Sequence, residues 1–198
     1  MTTLALGVLV SGNGSNLQAI LDAIQSSELD AKVKLVISNR DGAYALERAQ
    51  RAGVPTLVCS HKGAPSREAY DRTLALHLLQ AGVEVVVLAG FMRILTPDFV
   101  KAFEGRVLNI HPALLPAFPG VNALGQALSH GAKVTGVTVH WVDDGVDTGP
   151  IIAQRAVPIL PGDTESSLAE RVHPVEHRLY VEVLRDLSLG RVSPAKAP

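Results

Sequence analysis

The run Val83-Glu84-Val85-Val86-Val87-Leu88 restricts the fold more than any other stretch, because so continuous an apolar segment suits a parallel strand covered on both faces. Such a strand needs helices on either side, and the flanking sequence supplies them. Met1 to Val10 is apolar and β-prone, breaks at Gly12-Asn13-Gly14-Ser15-Asn16, and gives way to an amphipathic stretch from Leu17 to about Ser26. Val33 to Ile37 and Thr56 to Val58 read as strands, with a helix from Ala43 to Ala52 between them that Gly53 closes. Ser66 to Ala81 repeats helical spacing and stops at Gly82. Thr96-Pro97 caps a short helix ending near Gly105, and Arg106 to Ile110 forms a fifth strand. This alternation is that of an α/β protein.

The texture changes at His111. Three prolines between His111 and Gly120 impose an extended, irregular loop, followed by a short helix from Asn122 to Ser129 that Gly131 stops. Lys133 to Val142 and Pro150 to Ile159 flank the long turn from Asp143 to Gly149 and read as two antiparallel strands, so the sheet is mixed. Asp163-Thr164 caps a last helix reaching about Leu187, which Pro174 is expected to kink or split, and the tail to Pro198 is expected to fray. At 198 residues the chain suits one domain.

Composition excludes several function classes. Lys and Arg number 18 against 19 Asp and Glu, which leaves no field to attract nucleic acid or an acidic membrane. Aromatic residues, at 4%, give no stacking platform for single strands. Cys59 is the sole cysteine, so no intrachain disulfide or thiolate zinc cluster forms, and it reads as a small buried apolar side chain. No segment reads as a membrane span or a secretory signal, and the cytoplasm is the expected compartment.

Two places carry chemistry. The Gly12 to Asn16 turn enters a helix, so its backbone amides and the positive helix end can hold a phosphate without a cationic side chain. A dinucleotide fingerprint is not met: Leu17 stands where a third glycine belongs, and Asn39 and Arg40 where an acid belongs. Asn109-Ile110-His111-Pro112 sits where a strand leaves the sheet, and residues two apart on a strand share a face, so Asn109 and His111 can converge. Attack of an amine on a carbonyl carbon builds charge on oxygen, which an Asn amide or imidazolium stabilises, while a His moves the proton. Asp143, Asp144 and Asp147 each qualify to orient that His, and the residues alone do not choose among them. His111 and His140 lack metal-ligand spacing, and no metal is expected.

Five ordered motifs then stand out: Val10-Ser11-Gly12-Asn13-Gly14-Ser15-Asn16-Leu17-Gln18, Ser66-Arg67-Glu68-Ala69-Tyr70-Asp71, Leu88-Ala89-Gly90-Phe91-Met92-Arg93-Ile94-Leu95, Asn109-Ile110-His111-Pro112-Ala113-Leu114-Leu115-Pro116 and Val146-Asp147-Thr148-Gly149-Pro150. Through them the chain resembles, over nearly its whole length, the phosphoribosylglycinamide formyltransferases of purine synthesis. The resemblance implies a Rossmann-like three-layer sandwich: a seven-stranded, mostly parallel sheet with helices on both faces and an antiparallel C-terminal strand pair. It implies transfer of the formyl group of 10-formyltetrahydrofolate, a co-substrate, to the amine of glycinamide ribonucleotide, without a metal. Asn109, His111 and Asp147 become the catalytic set, and Gly14, Ser15 and Asn16 meet the acceptor phosphate. Arg67, Met92, Arg93, Ile94 and Leu95 line the folate site, Asp143 and Asp144 fall on its pterin loop, and Glu176 contacts the ribonucleotide.

On this basis residues 1–105 form a phosphate-binding half, 106–187 a catalytic and folate-binding half, and 188–198 a tail. The expected partners are the two small substrates, with no nucleic acid and no membrane, and a homodimer is compatible with the sequence. The chain departs from the family pattern at Val121 to Leu124, where many members carry histidines, and at Pro174. Three alternatives stand beside this reading. A formyltetrahydrofolate hydrolase would add an N-terminal regulatory domain, a methionyl-tRNA formyltransferase would add an RNA-binding domain, and a non-catalytic folate module would break the Asn, His or Asp position.

Overall fold

The computed structural model describes residues 3–193; Met1, Thr2 and 194–198, where the start of the first apolar run and the end of the tail fall, lie outside the described residues. The strands are β1 (Leu4–Val10), β2 (Ala31–Ser38), β3 (Thr56–Val58), β4 (Val85–Leu88), β5 (Val107–His111), β6 (Val134–Trp141) and β7 (Ile151–Pro158). The helices are α1 (Ser15–Gln25), α2 (Tyr44–Arg51), α3 (Arg67–Gln80), α4 (Pro97–Ala102), α5 (Ala123–Ser129) and α6 (Glu165–Ser188). The seven strands form one sheet in the order β3-β2-β1-β4-β5-β6-β7. Pairs from β3 to β5 are parallel, whereas β6 is antiparallel to both β5 and β7, so β6 alone runs against the rest.

Alternation along the central strands divides the core. Leu6, Val8, Val10, Val85 and Val87 face one cluster, shared with side chains of α1, α2 and α6. Leu9, Val86 and Leu88 face the other, where Tyr70, Leu74 and Leu78 of α3 meet Phe99 and Phe103 of the α4 segment. Glu84, the one charge in the apolar run, accepts the Ala5 N–H at 3.1 Å and stands just before β4. Cys59 is half-buried, and burial pushes its thiol up. Among the described residues no helix is long and apolar enough to cross a membrane.

Two local expectations need correction. α1 starts at Ser15, two residues ahead of the first apolar position, because the polar pair Ser15-Asn16 makes up its opening turn behind Gly14. α6 is one helix through Pro174 rather than a split pair. Proline removes one backbone hydrogen bond, at about 3 kcal/mol, but Pro174 faces solvent while Leu168, Val172, Leu179, Tyr180, Val183 and Leu184 bury their side chains on either side of it. Tyr180 pins this helix to the sheet, its hydroxyl lying 3.1 Å from the carbonyls of both Leu88 and Leu108. Strand register then sets the functional edge: Leu9 pairs with Leu88, Leu88 with Asn109, and Asn109 with His140.

Candidate active site

Asn109 and His111 project from the end of β5 and converge, as the two-residue spacing demands, on the carboxylate of Asp147. Asn109 Nδ2 donates to Asp147 Oδ1 at 3.3 Å, and His111 Nδ1 lies 3.3 Å from Oδ2. The Gly120 N–H donates to the same Oδ2 at 2.8 Å. Asp147 is thus singled out from its neighbours by contact. It has a left-handed backbone, φ 55°, which costs a non-glycine residue about 1 kcal/mol or more and persists because the side chain is held by these partners. Burial raises its pKa, but the hydrogen bond to His140, the Gly120 N–H and the charges of His111 and His140 outweigh this and hold the carboxyl below its ordinary value.

The His111 ring is fixed at its other end. Nε2 stands 2.8 Å from the Phe118 carbonyl, which can only accept, so Nε2 carries a hydrogen and Nδ1 is the nitrogen presented to Asp147. The loop supplying Phe118 and Gly120 is tied to β6 through Thr138, whose hydroxyl donates to Ala113 O at 2.7 Å and accepts from Leu115 N at 3.1 Å. Gln154 Nε2 on β7 adds bonds to Leu115 O and Thr138 Oγ1. His140 completes the group: it is 2% exposed, and its Nε2 lies 3.2 Å from Asn109 Nδ2 and 3.6 Å from Asp147 Oδ1. Sequence reading considered His140 only as a metal ligand, and its place opposite Asn109 follows from the β5–β6 register. Among the described residues no group of three or more His, Cys, Asp and Glu is arranged to hold a metal.

Around this set opens a cleft of about 980 Å³. Arg67, Met92, Arg93, Ile94, Leu95 and Asp143 line it, together with Asn109, His111, His140 and Asp147. Met92 and Ile94 are 64% and 52% exposed, an apolar mouth on a water-facing surface. Arg93 lies over the Tyr70 ring at 5.0 Å, with its Nε buried and without a partner among the described residues. Asp143 spends Oδ1 on Gly145 N at 3.0 Å and Thr148 Oγ1 at 2.7 Å, which shapes the turn that presents Asp147. Asp144 is exposed and lies outside the lining.

Gly14, Ser15, Asn16 and Glu176 also lie outside this cleft, in a second region where α1 meets α6. Gly14 has φ 77°, and a Cβ there would come within 2.5 Å of Ala45 Cβ on α2. No side chain caps α1, so its first amides remain for an outside acceptor. The cation that the sequence reading left out is Arg48: Nε and NH2 donate to Asn13 O and Oδ1 at 2.9 and 3.0 Å, and NH1 to Gln18 Oε1 at 3.1 Å. Its signal was the helical spacing that puts Ala45 and Arg48 on one face of α2.

From α6, buried Glu176 bonds His173 Nδ1 at 2.6 Å. That bond raises the His173 pKa, against the effect of burial, and the Glu176 charge adds to it. Burial lowers the His177 pKa, and the positive charges of His173 and Arg48 add to this while Glu176 opposes it. Asn16 Oδ1 and His177 Nε2 are both buried and find no partner among the described residues. β1 and β5 are separated by β4 alone, so Leu9 and Asn109, each in register with Leu88, stand about 10 Å apart across the sheet, and the glycine turn begins beyond Leu9 at the same edge.

Comparison with known proteins agrees with this geometry. The family described as Formyl transferase matches residues 5–184. The phosphoribosylglycinamide formyltransferase of Escherichia coli strain K12 is 47% identical over 185 residues, covering 93% of this chain and 87% of that protein. The trifunctional purine biosynthetic protein adenosine-3 of Drosophila pseudoobscura is 54% identical over 196 residues, and this chain spans 14% of its length. Glycinamide ribonucleotide transformylase 1 from Symbiobacterium toebii superposes with a TM-score of 0.95 at 51% identity, over 98% of this chain and 92% of that one.

Proposed function

Because the chain belongs to the formyl transferase family, we propose that it moves the formyl group of 10-formyltetrahydrofolate onto the amine of glycinamide ribonucleotide. The products are formylglycinamide ribonucleotide and tetrahydrofolate, a step of purine biosynthesis to IMP. The observation that carries the proposal is the convergence of Asn109, His111 and Asp147 in a cleft also lined by exposed Met92 and Ile94 and by Arg67 and Arg93. A donor with an apolar body and an anionic tail fits that lining, which includes the guanidinium side chains of Arg67 and Arg93.

The acceptor phosphate docks on the first amides of α1 beside Arg48, and Glu176 takes the ribose hydroxyls. The glycine turn and Asn109 leave the same sheet edge with only β4 between their strands, so one small acceptor can reach from one to the other. The acceptor nitrogen attacks the formyl carbon, and the Asn109 amide, together with the His111 imidazolium once Nδ1 has taken a proton beside Asp147, stabilises the oxygen as it becomes anionic. The attacking nitrogen loses a proton and the departing folate nitrogen gains one, with His111 as the group that moves it. Asp147, with its pKa held low, stays ionised and orients the imidazole.

The test is spectroscopic conversion of the formyl donor with and without glycinamide ribonucleotide. Conversion that requires the ribonucleotide is expected; equal conversion without it would mean a hydrolase and would overturn the proposal.

A further inference from the structure

Ser11 and Asn39 take no part in the chemistry described above and line neither substrate region, yet they are buried polar residues, 3% and 4% exposed, at the functional edge of the sheet. Ser11 is the first residue beyond β1 and Asn39 the first beyond β2. The Ser11 hydroxyl donates to Asn39 Oδ1 at 2.6 Å and accepts the backbone N–H of Met92 at 2.9 Å. A single hydroxyl therefore joins the loops leaving three adjacent parallel strands, β2, β1 and β4.

The bond directions are set by the partners. The Asn39 carbonyl oxygen only accepts, which commits the Ser11 proton and leaves an oxygen lone pair for the Met92 N–H, which only donates. Three residues along the chain from Ser11 is Gly14, where the acceptor phosphate turn enters α1. On the other side, Met92 opens the segment Met92 to Leu95 that lines the donor cleft. That loop is rooted at its ends, by Ala89 N to Leu9 O at 2.9 Å and by Thr96 N to Asp71 Oδ2 at 2.6 Å. The Ser11 bond holds it between these roots.

We infer that Ser11, locked by Asn39, is a positioning residue that sets the spacing between the acceptor turn and the donor loop, and so the approach of amine to formyl carbon. The inference rests on the proposed function. Its physical basis is that a bimolecular attack is fast only when the reacting atoms are held about 3 to 3.5 Å apart, and that a misplacement of about 1 Å can cost about 100-fold. Each substrate binds mainly to its own loop, so loosening the tie between loops harms their mutual placement more than either affinity.

The test uses the full-length protein and its Ser11→Ala, Asn39→Ala and doubly substituted variants. Three dissociation constants are measured by calorimetry: glycinamide ribonucleotide, a dideaza formyl-folate analogue, and a bisubstrate molecule that joins the two covalently. The ratio of the two separate constants to the joined one gives an effective concentration, which reads the placement of the sites directly. In S11A that ratio should fall about tenfold, the scale of one lost buried hydrogen bond, while each separate constant moves by less than about threefold. Asn39→Ala should fall less than S11A, and the double variant no further than S11A, since Asn39 acts through Ser11.

A role in stability alone would lower the melting temperature and leave the ratio unchanged, which would overturn the inference. Losses that multiply in the double variant would overturn the Asn39 lock. Should S11A not fold, the Asn39→Ala ratio decides alone, an unchanged value counting against the inference. Wild-type protein that transfers no formyl group would defeat the proposed function itself, an outcome distinct from an active wild type with an insensitive ratio.

Discussion

Replacing Asp147 by Asn removes the charge on which the site is organised and leaves a side chain of the same shape. The carboxylate has four neighbours: Asn109 Nδ2, Gly120 N, His111 Nδ1 and His140 Nε2. The amide keeps one accepting oxygen, enough for Gly120 or Asn109, and turns an NH2 toward the imidazoles. The contact with His111 is the one the proposed transfer draws on, and a hydrogen bond to a charged group contributes about 1.5 to 3 kcal/mol. The side chain is only 13% exposed, so solvent screens it little, and the weaker His140 contact adds about 1 kcal/mol. Together these amount to about 2.5 to 4 kcal/mol of transition-state stabilisation, or about 70- to 900-fold in kcat. The acceptor KM should move by less than about threefold, because the glycine turn lies two strands away. Asp143→Asn is the matched control: its carboxylate serves Gly145 and Thr148 within its own turn, and its kcat should fall by less than about tenfold. Single-turnover kinetics measured at saturating substrates read both variants. A kcat for D147N within tenfold of wild type, or an equal loss in D143N, would refute the reasoning.

Gly14→Ala places a side chain at φ 77° against Ala45, so the acceptor KM should rise by about tenfold or more and the melting temperature should drop, both by standard steady-state and thermal measurements. Tyr180→Phe removes the donor shared by Leu88 O and Leu108 O; it should destabilise by about 1 to 1.5 kcal/mol in denaturant titration and leave kcat within about twofold. Asp147 has a depressed folded pKa, so its contribution to stability is present above its ordinary value of 3.8 and is lost as pH falls through the folded value. Asp147→Asn should therefore flatten the acid limb of the unfolding profile. His173 has a raised folded pKa, so its contribution is complete below 6.5 and lost as pH rises through the folded value; His173→Gln should erase that dependence in the same profile.

Much of the fold was legible because each signal was local. The run ending in Leu88 had to be covered on both faces, and it is; Thr96-Pro97, Asn122 and Thr164 each stand at a helix N-cap. What failed was a local rule overruled by packing. Pro174 forbids one hydrogen bond, but it does so on the solvent face of a helix whose buried stripe continues past it. The family resemblance supplied the number of strands and the mostly parallel sheet, but strand order was not legible, since nothing in a strand's own composition says that β4 sits between β1 and β5.

The site divides in the same way. Asn109 and His111 were legible as a pair because a strand's two-residue period is a property of the chain itself, and the structure brings both to one carboxylate. Which aspartate supplies it was legible only through the family resemblance, since Asp143, Asp144 and Asp147 share one turn and differ in direction alone. The difference lies in the left-handed Asp147 and in Gly149, where any Cβ would run into the Trp141 carbonyl, so that the turn closes in a single way. His140, Arg48 and Ser11 were missed for one common reason: each acts across the sheet or between helices, on a partner brought close by register and not by sequence spacing. Asn39 shows how register changes the meaning of a residue. In the sequence it marks the lack of a nucleotide-binding acid; beside Ser11 it fixes a hydroxyl between the glycine turn and the loop opened by Met92. Residues of that kind leave no periodic trace, so they are found only once strand neighbours are known.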